Sequence, residues 1–227
     1  MPSLKVFKNV VYRIIAPATN ALIRWRVHPN AVTVVGFAVT LAAGVLYHFD
    51  HVRWAGLCIL VGGVLDIFDG QVARLSGLAS KFGSFFDSTL DRISEIVVFL
   101  GLLSLYNQYG RALGDVWMVY VIALAMGGSL MVSYTRARAE ALGLDCSVGF
   151  MQRAERVLLL GGGSLFFGLA WNGIVLRVVL VTLAVTSVLT AIQRIVWVYH
   201  EAKGVPLDEP HARTRSAPAR EYTEKTP

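Results

Sequence analysis

The chain has 227 residues, of which 55% are hydrophobic and 16% are charged, and its net charge is +6. Soluble proteins have about 25% charged residues, so this composition excludes an ordinary soluble enzyme and predicts a protein that crosses a membrane several times. The basic residues flank the apolar segments and form no separate arm, which indicates contact with a membrane surface and no nucleic acid partner. Cys58 and Cys146 lie in or beside different apolar segments and indicate neither a disulfide nor metal ligation.

The first segment, residues 1–28, mixes apolar and basic residues at helical spacing. We expect an amphipathic juxtamembrane helix lying on the cytoplasmic face of the membrane, because this pattern suits an interface better than a hydrocarbon core. Pro29 and Asn30 end the segment, and Asn30 is expected to cap the helix that follows.

Residues 29–202 are predicted to form an all-α integral membrane domain with six transmembrane helices. Each span needs about 20 apolar residues, and the backbone within lipid must be hydrogen bonded internally. Basic residues concentrate on the side of the amino terminus, which predicts a multi-pass protein of the cell (inner) membrane with both termini in the cytoplasm. Residues 203–227 lack apolar periodicity and are predicted to be a disordered cytoplasmic tail. The expected spans are 32–48, 54–74, 84–106, 115–136, 154–171 and 173–199.

Four aspartates interrupt the second and third apolar segments. Asp66 and Asp69 are three residues apart and Asp87 and Asp91 are four apart, so each pair shares one helix face. Four unpaired carboxylates inside a membrane would cost on the order of 10 kcal/mol, comparable to the whole stability of a domain. Too few lysines and arginines lie nearby in sequence to balance these acids, so bound metal is predicted.

The ligand set predicts which ions these acids would bind. Carboxylate oxygens without cysteine or histidine favour a hard ion such as Mg²⁺, with Mn²⁺ as the alternative. Two facing pairs of carboxylates are expected to hold two ions that clamp a pyrophosphate. The competing interpretation is that Arg74 and Arg92 pair with these acids, but two arginines do not balance four aspartates and Glu95.

The spacing of these residues resembles a known signature. Asp66-x2-Asp69-Gly70-x2-Ala73-Arg74-x8-Gly83-x3-Asp87-x3-Asp91 matches, at every fixed position, that of the CDP-alcohol phosphotransferases, which are integral membrane enzymes of phospholipid synthesis. The resemblance implies that all four aspartates bind metal and that Asp91 is also the general base. It implies transfer of a phosphatidyl group from CDP-diacylglycerol to an alcohol, with release of CMP.

The resemblance also implies a nucleotide-binding wall beside the aspartates. The glycines have a plainer alternative role, because small residues let membrane helices pack closely. A simple helix start explains the stretch from 29 to 33 equally well. The residues expected to contact the CDP-lipid are Pro29, Asn30, Thr33, Gly70, Ala73, Arg74, Ser80 and Gly83.

Arginines from three later segments fall at the predicted depth of the aspartates. Arginine forks match phosphate oxygens, so the group predicts an acceptor that already carries phosphate, although the positive-inside rule also explains any single arginine. Segments 133–140 and 153–156 resemble phosphatidylinositol-phosphate synthases within the family, with Arg136 in place of a lysine and Ala154 in place of a proline. The residues expected to bind the acceptor phosphate are Ser133, Arg136, Arg138, Arg153, Arg156 and Arg194.

These observations predict transfer of a phosphatidyl group to inositol phosphate. The nearest alternative is phosphatidylglycerophosphate synthesis, with glycerol phosphate as acceptor. A membrane prenyltransferase also uses aspartate pairs and magnesium, but Gly70, Ala73, Arg74 and Gly83 argue against it. A cation transporter would also need intramembrane acids, but its path should cross the membrane and these acids cluster toward one face.

Two further features carry weaker expectations. Glu95 continues the helix face of Asp87 and Asp91 but lies outside the signature, so no role is assigned to it. Small-residue clusters at 127–128 and 161–163 permit close helix contacts, and with them a homodimer.

Overall fold

The structure is a computed structural model that describes residues 16–107 and 115–203. The amino-terminal part of the juxtamembrane segment and nearly all of the expected tail lie outside the described residues. Within those residues every regular element is helical, and a 3₁₀ turn at Ala170–Gly173 precedes the last helix. The helices are α1 (16–24), α2 (Pro29–His48), α3 (Val52–Leu75), α4 (Lys81–Tyr106), α5 (Val116–Ala141), α6 (Arg153–Phe167) and α7 (Ile174–Ala202).

Each of the six apolar segments forms one helix, with ends a few residues from the expected ones. The expected cap of α2 was wrong. His28 is the N-cap, and its ring nitrogen accepts a hydrogen bond from the N–H of Asn30 at 3.2 Å. Pro29 occupies the first turn, where its missing N–H removes no helical hydrogen bond, so the cap falls before the proline and not after it.

Four of the described helical segments are long and apolar enough to cross a membrane: Pro29–His48, Val52–Leu75, Val116–Ala141 and Ala170–Ala202. Helix α4 carries acids and an arginine along its first half, and α6 has only 15 residues. The described chain is thus an all-helical membrane protein in which length and composition alone support four crossings. The expected count of six is not established by them.

The helices pack in a closed ring. Helix α2 packs against α3 and α4, α3 against α6, α6 against α7, α7 against α5, and α5 against α4. The start of α2 meets the start of α4, while the end of α3 meets the start of α6. The ends of α5 and α7 join the same side of the ring. We call this side the acidic end, because it carries all four aspartates of the signature.

The apolar core fills the half of the ring away from the acidic end. Its fully buried side chains include Tyr47, Leu102, Ile122 and Leu180, which come from four different helices. The hydroxyl of Tyr47 also shares a 2.5 Å hydrogen bond with Ser164, so this half is held by a buried polar contact as well as by packing. A rigid base of this kind lets the acidic end hold charged groups in fixed positions.

Glycines bring neighbouring backbones into direct contact. A Cβ atom at Gly101 would lie 2.2 Å from the carbonyl oxygen of Gly44, and one at Gly56 would lie 2.5 Å from the backbone nitrogen of Leu165. No side chain fits at these positions, so small residues set the approach of α2 to α4 and of α3 to α6.

Most glycines of the clusters that suggested a homodimer pack against other helices of the same chain. A Cβ atom at Gly161 would lie 2.8 Å from the side chain of Leu60, and one at Gly128 would lie 3.0 Å from Ser187. Gly127 and Gly162 have open space in front of them among the described residues. The homodimer stays a prediction.

Candidate active site

Three aspartates form a compact carboxylate cluster at the acidic end. Asp66 and Asp69 come from one face of α3 and Asp87 comes from α4, and one oxygen from each lies within 4.8 Å of the others. At this distance two unit charges repel by about 3 kcal/mol even at an effective dielectric constant of about 20. A cation between them converts this repulsion into attraction.

Two oxygens of this cluster have no hydrogen-bond partner in the described part of the chain. Asp69 Oδ2 and Asp87 Oδ1 are buried and accept no hydrogen bond from the described residues. Thr33 of α2 interacts with the Asp69 side chain, so this carboxylate is held at the cluster from a second helix. Buried carboxylate oxygens are normally hydrogen bonded or metal bound. The cluster thus fits a divalent cation held by oxygen ligands.

Asp91 lies outside the cluster of three aspartates and is contacted by two arginines. Arg153 of α6 donates to Asp66 Oδ2 at 3.0 Å and, through its other terminal nitrogen, to Asp91 Oδ1. A guanidinium group of Arg92 lies 3.9 Å from Asp91 on the other side. Arg153 had been expected to serve the acceptor alone. The fold instead brings it from a distant helix to bridge two of the four aspartates.

Asn30, Ser80 and Gly83 meet where α2 and α4 begin. The Ser80 hydroxyl caps α4 by accepting a hydrogen bond from the N–H of Gly83 at 3.0 Å. A Cβ atom at Gly83 would lie 3.5 Å from Asn30 Oδ1. Pro29 supplies the carbonyl that accepts from the Thr33 hydroxyl at 3.1 Å. The structure thus gathers these five residues on the α2–α4 side of the cluster, and their role in nucleotide binding stays a prediction.

Gly70, Ala73 and Arg74 lie on the last turns of α3, next to the cluster. A Cβ atom at Gly70 would lie 3.5 Å from the guanidinium nitrogens of Arg74, so the arginine folds back over the glycine. Arg74 is exposed and follows the two acids of α3 without an ion pair to them in the described part of the chain. Its positive charge is therefore available to a ligand at this end.

A buried contact ties α1 to the signature. The Thr19 hydroxyl donates to Gln71 Oε1 at 3.2 Å, and both side chains are buried. Gln71 occupies a variable position of the signature, and no feature of the sequence pattern distinguishes it. The contact fixes the described part of the juxtamembrane helix against α3, two residues after Asp69.

The residues expected to bind the acceptor phosphate do not form one group. Arg194 is buried, and it donates to the carbonyl oxygens of Val148 at 2.9 Å and Val132. Its guanidinium group therefore joins the α5 end and the following loop to α7. Arg136 is exposed and pairs with Glu140 at 2.8 Å along the same helix. Arg138 is exposed too.

Two other members of that set lie deeper. Ser133 accepts a hydrogen bond from Arg92, and Arg156 is buried with one terminal nitrogen 3.6 Å from Glu95. Arg153 and Arg156 sit one turn apart at the start of α6, where the capping box formed by Gln152 and Glu155 fixes the first turn. These two arginines are the members of the set that stand next to the aspartates.

A cavity of about 60 Å³ lies behind Asp91. Its polar end is formed by Asp91, Glu95, Arg153 and Arg156, and its apolar walls include Phe99 and Leu183. This volume has room for a few water molecules. The arrangement places two arginines and two carboxylates around a space that reaches from Asp91 into the ring.

The acids at the acidic end outnumber the arginines that pair with them. Asp66, Asp69, Asp87, Asp91 and Glu95 are matched by Arg92, Arg153 and Arg156, the arginines that contact them in the described residues. The remaining negative charge equals that of two carboxylates, which is the charge that one divalent cation neutralises. Charge and coordination chemistry therefore agree on a metal site.

Comparison with known proteins is consistent with this site. Residues 26–192 match the family model of CDP-alcohol phosphatidyltransferases. The archaetidylinositol phosphate synthase of Methanothermobacter thermautotrophicus is 33% identical over 88% of this chain and 96% of its own length. The phosphatidylinositol phosphate synthase of Mycobacteroides abscessus is 33% identical over 80% of this chain and 82% of its own length.

Solved structures of the Mycobacterium tuberculosis phosphatidylinositol phosphate synthase show the same fold. The form with CDP-DAG bound superposes with a TM-score of 0.74 and 31% identity, and covers 90% of this chain and 99% of the solved chain. A second form, in complex with manganese and citrate, has a TM-score of 0.73 at the same identity and covers 88% of this chain and 92% of the solved one.

Proposed function

We propose, given that the chain belongs to the CDP-alcohol phosphatidyltransferase family, that it transfers a phosphatidyl group from CDP-diacylglycerol to inositol phosphate and releases CMP. The observation that carries the choice of acceptor is shared by the relatives. Those named above differ in the lipid, archaetidyl or phosphatidyl, but all are named for an inositol phosphate product. Glycerol phosphate, the alternative acceptor, has no such support.

Asp66, Asp69, Asp87 and Asp91 would hold the metal, with Mg²⁺ as the expected ion and Mn²⁺ as the alternative. When bound, the metal would neutralise charge on the pyrophosphate and on the departing CMP. The clustered aspartates and their unpartnered oxygens support a first ion. Each phosphate of the donor pyrophosphate adds a negative charge, so the complete site has the charge to accept a second ion.

The CDP group would bind between the starts of α2 and α4 and the end of α3. Asn30, Ser80 and Gly83 form one side of this space, and Gly70 with Arg74 forms the other. A glycine at each side lets a bulky ligand approach the backbone, and the exposed guanidinium group of Arg74 supplies a positive charge for a phosphate. Pro29, Thr33 and Ala73 complete this wall.

Asp91 would act as the general base. It takes the proton from the acceptor hydroxyl, whose oxygen forms a bond to the phosphorus next to the lipid while the bond from that phosphorus to CMP breaks. Arg153 now bridges Asp66 and Asp91. An acceptor phosphate competes for the same guanidinium group, so acceptor binding would release Asp91 for proton transfer. Arg156 would hold the phosphate from the cavity side.

The remaining proposed acceptor contacts lie at the rim of the site. Arg136 and Arg138 are exposed on the end of α5, where they would attract an anionic acceptor and not enclose it. Arg194 would act by holding the ends of α5 and α7 together, and Ser133 by holding Arg92.

All six helices from α2 to α7 would span the cell (inner) membrane, with the acidic end facing the cytoplasm. Helices α4 and α6 complete the closed ring, and their charged residues pair with one another at the acidic end. This arrangement lets both helices cross lipid despite their composition. The catalytic domain would then comprise residues 29–202, preceded by the juxtamembrane segment 1–28 and followed by the cytoplasmic tail.

The proposal is tested with purified protein, CDP-diacylglycerol and magnesium. Inositol phosphate, glycerol phosphate and free inositol are offered separately, and CMP release is measured. We expect the highest kcat/KM with inositol phosphate. Preference for glycerol phosphate would establish the alternative acceptor. If none of these alcohols supports CMP release, the proposed reaction is refuted. Transport of labelled divalent ions into vesicles by the same preparation would favour a transporter.

A further inference from the structure

Glu95 forms a junction among three helices. It follows Asp91 by one turn of α4, but its contacts differ from those of the aspartates. Its Oε1 atom accepts a hydrogen bond from the Ser129 hydroxyl of α5 at 2.5 Å, and Arg92 approaches Oε2 at 3.3 Å. Arg156 of α6 lies 3.6 Å from Oε1. Both oxygens are thus occupied by protein groups, which argues against a role as a metal ligand.

The guanidinium group of Arg156 has hydrogen-bond donors without acceptors among the described residues. Its side chain is 7% exposed, and Glu95 is the partner of one terminal nitrogen. Its Nε and Nη1 atoms are buried and have no hydrogen-bond partner among the described residues. The residue lines the same cavity as Asp91 and Arg153. Buried guanidinium donors without partners lower the stability of the fold. An anion bound in the cavity would supply the missing hydrogen-bond acceptors.

Glu95 sets the orientation of this arginine. A guanidinium group is planar, so fixing one terminal nitrogen against a carboxylate leaves the other two nitrogens in a defined direction. Arg92, the other cation on Glu95, also contacts Asp91 and Ser133. The same carboxylate therefore aligns an arginine in the cavity and an arginine beside the proposed base.

We propose that Glu95 is a positioning residue for the acceptor. It holds Arg156 so that Nε and Nη1 face the acceptor phosphate, and it holds Arg92 against Asp91. This inference rests on the proposed function, because it deepens the account of how a phosphorylated alcohol is bound. Glu95 itself touches neither the acceptor nor the reacting atoms.

The test is Glu95→Gln in the full-length enzyme. The amide keeps the length of the side chain and one acceptor oxygen, but it presents an N–H₂ group to one of its arginine or serine neighbours and so disturbs their alignment. We expect the acceptor KM to rise about tenfold, as for the loss of one charge-assisted hydrogen bond. The donor KM should change by less than about twofold, and kcat should change less than the acceptor KM does.

Asp115→Asn is the matched control. Asp115 is also a partly buried carboxylate paired with an arginine, Arg177 at 3.5 Å, but it lies at the opposite end of the ring. Its amide variant should keep wild-type kinetics. A fall in the acceptor KM of Glu95→Gln would show that Glu95 is only a counter-ion, and equal losses for donor and acceptor would show a general structural role. Either result overturns the proposal.

A double variant identifies the partner through which Glu95 acts. Glu95→Gln combined with Arg156→Gln should raise the acceptor KM by clearly less than the product of the two single effects, because residues that act as a unit are not additive. Fully additive effects would contradict the proposal. If Glu95→Gln does not fold, Ser129→Ala removes one Glu95 contact and should raise the acceptor KM in the same direction. An unchanged KM in that variant would also contradict it.

The proposed function and the Glu95 proposal fail in different experiments. The acceptor preference of the wild-type enzyme decides the proposed function. The Glu95 comparison then uses whichever phosphorylated alcohol the wild type prefers, so it remains valid with glycerol phosphate. A wild type that prefers free inositol would remove the phosphate on which the Glu95 proposal depends.

Discussion

At the level of single residues, the acidic end is a set of charges that the protein balances only in part. Arg153 bridges Asp66 and Asp91, while Asp69 and Asp87 keep buried oxygens that no described residue satisfies. Protein groups alone would normally satisfy such oxygens. We therefore expect the site to cost stability in the absence of a cation and to gain it if one binds.

Replacing Asp69 with asparagine should separate these two effects. Turnover should fall by at least roughly 100-fold because a metal ligand is lost. The metal-free variant should be at least as stable as the metal-free wild type, because one repelling charge is gone. Melting temperatures in detergent, with chelator and with added Mg²⁺ or Mn²⁺, measure the metal-free stability and the stabilisation by metal. CMP release measures turnover. Asp115→Asn should keep the metal-dependent rise in melting temperature, and full activity of chelator-treated wild type would refute the metal site.

Asp91 is expected to behave differently from the clustered aspartates. Asp91→Asn should lower kcat by about 10²–10⁴-fold, the usual contribution of a general base. Binding of CDP-diacylglycerol in the presence of magnesium should remain, because Asp66, Asp69 and Asp87 still form the cluster. Calorimetric titration measures this binding. If the variant no longer binds the nucleotide, Asp91 acts as a metal ligand and not as the base.

The sequence could predict that each pair of aspartates shares a helix face, because this geometry is local. Residues three or four apart on a helix share a face in any fold. The partners of these acids depend on tertiary structure and could not be predicted in the same way. Arg153 follows Asp66 by 87 positions. Glu95 meets Ser129 because α5 packs against α4, and it meets Arg156 because the ring brings the start of α6 to the same end. Nothing in the local pattern indicated that Arg194 would bond to backbone carbonyls.

At the level of elements, apolar runs predicted all six helices from α2 to α7 but not the order in which they pack. The close approach of α2 to α4 depends on Gly44 and Gly101, where backbone meets backbone. In a membrane, such contacts replace the hydrophobic effect as a source of helix association. Glycine positions that look alike in sequence therefore differ widely in importance, since Gly127 faces open space in the described structure.

Gly101→Ala should destabilise the protein, whereas Gly127→Ala should not. Alanine gains up to about 1 kcal/mol of helix propensity over glycine at either position. At Gly101 the new methyl group would lie 2.2 Å from the Gly44 carbonyl oxygen, so α2 and α4 must move apart. Overpacking of this kind costs about 1–3 kcal/mol. Thermal unfolding in detergent compares the pair, and equal stability of the two variants would contradict the packing of α2 on α4.

At the level of the whole molecule, the ring places every chemically important group at one end. The starts of α2, α4 and α6 and the ends of α3, α5 and α7 meet there, as expected when successive helices run in opposite directions. The positive-inside pattern led us to expect the aspartates and arginines at one end. By length and composition alone, however, α4 and α6 do not qualify as membrane spans. Helix α4 carries several charged residues, and α6 has only 15 residues.

Single cysteines distinguish six crossings from four and establish the orientation. Cys58 and Cys146 are first replaced, and cysteine is then introduced at exposed turn positions that avoid positive φ angles. If α4 and α6 both span, an impermeant thiol reagent on intact cells should label cysteines at His51, Asn107 and Leu169. Those at Ala79, Ser147 and Lys203 should react only after permeabilisation. Four crossings, with α4 and α6 remaining on one side, would place Ala79 with Asn107 and Ser147 with Leu169. Labelling of Ala79 from outside would move the acidic end, and the proposed active site with it, out of the cytoplasm.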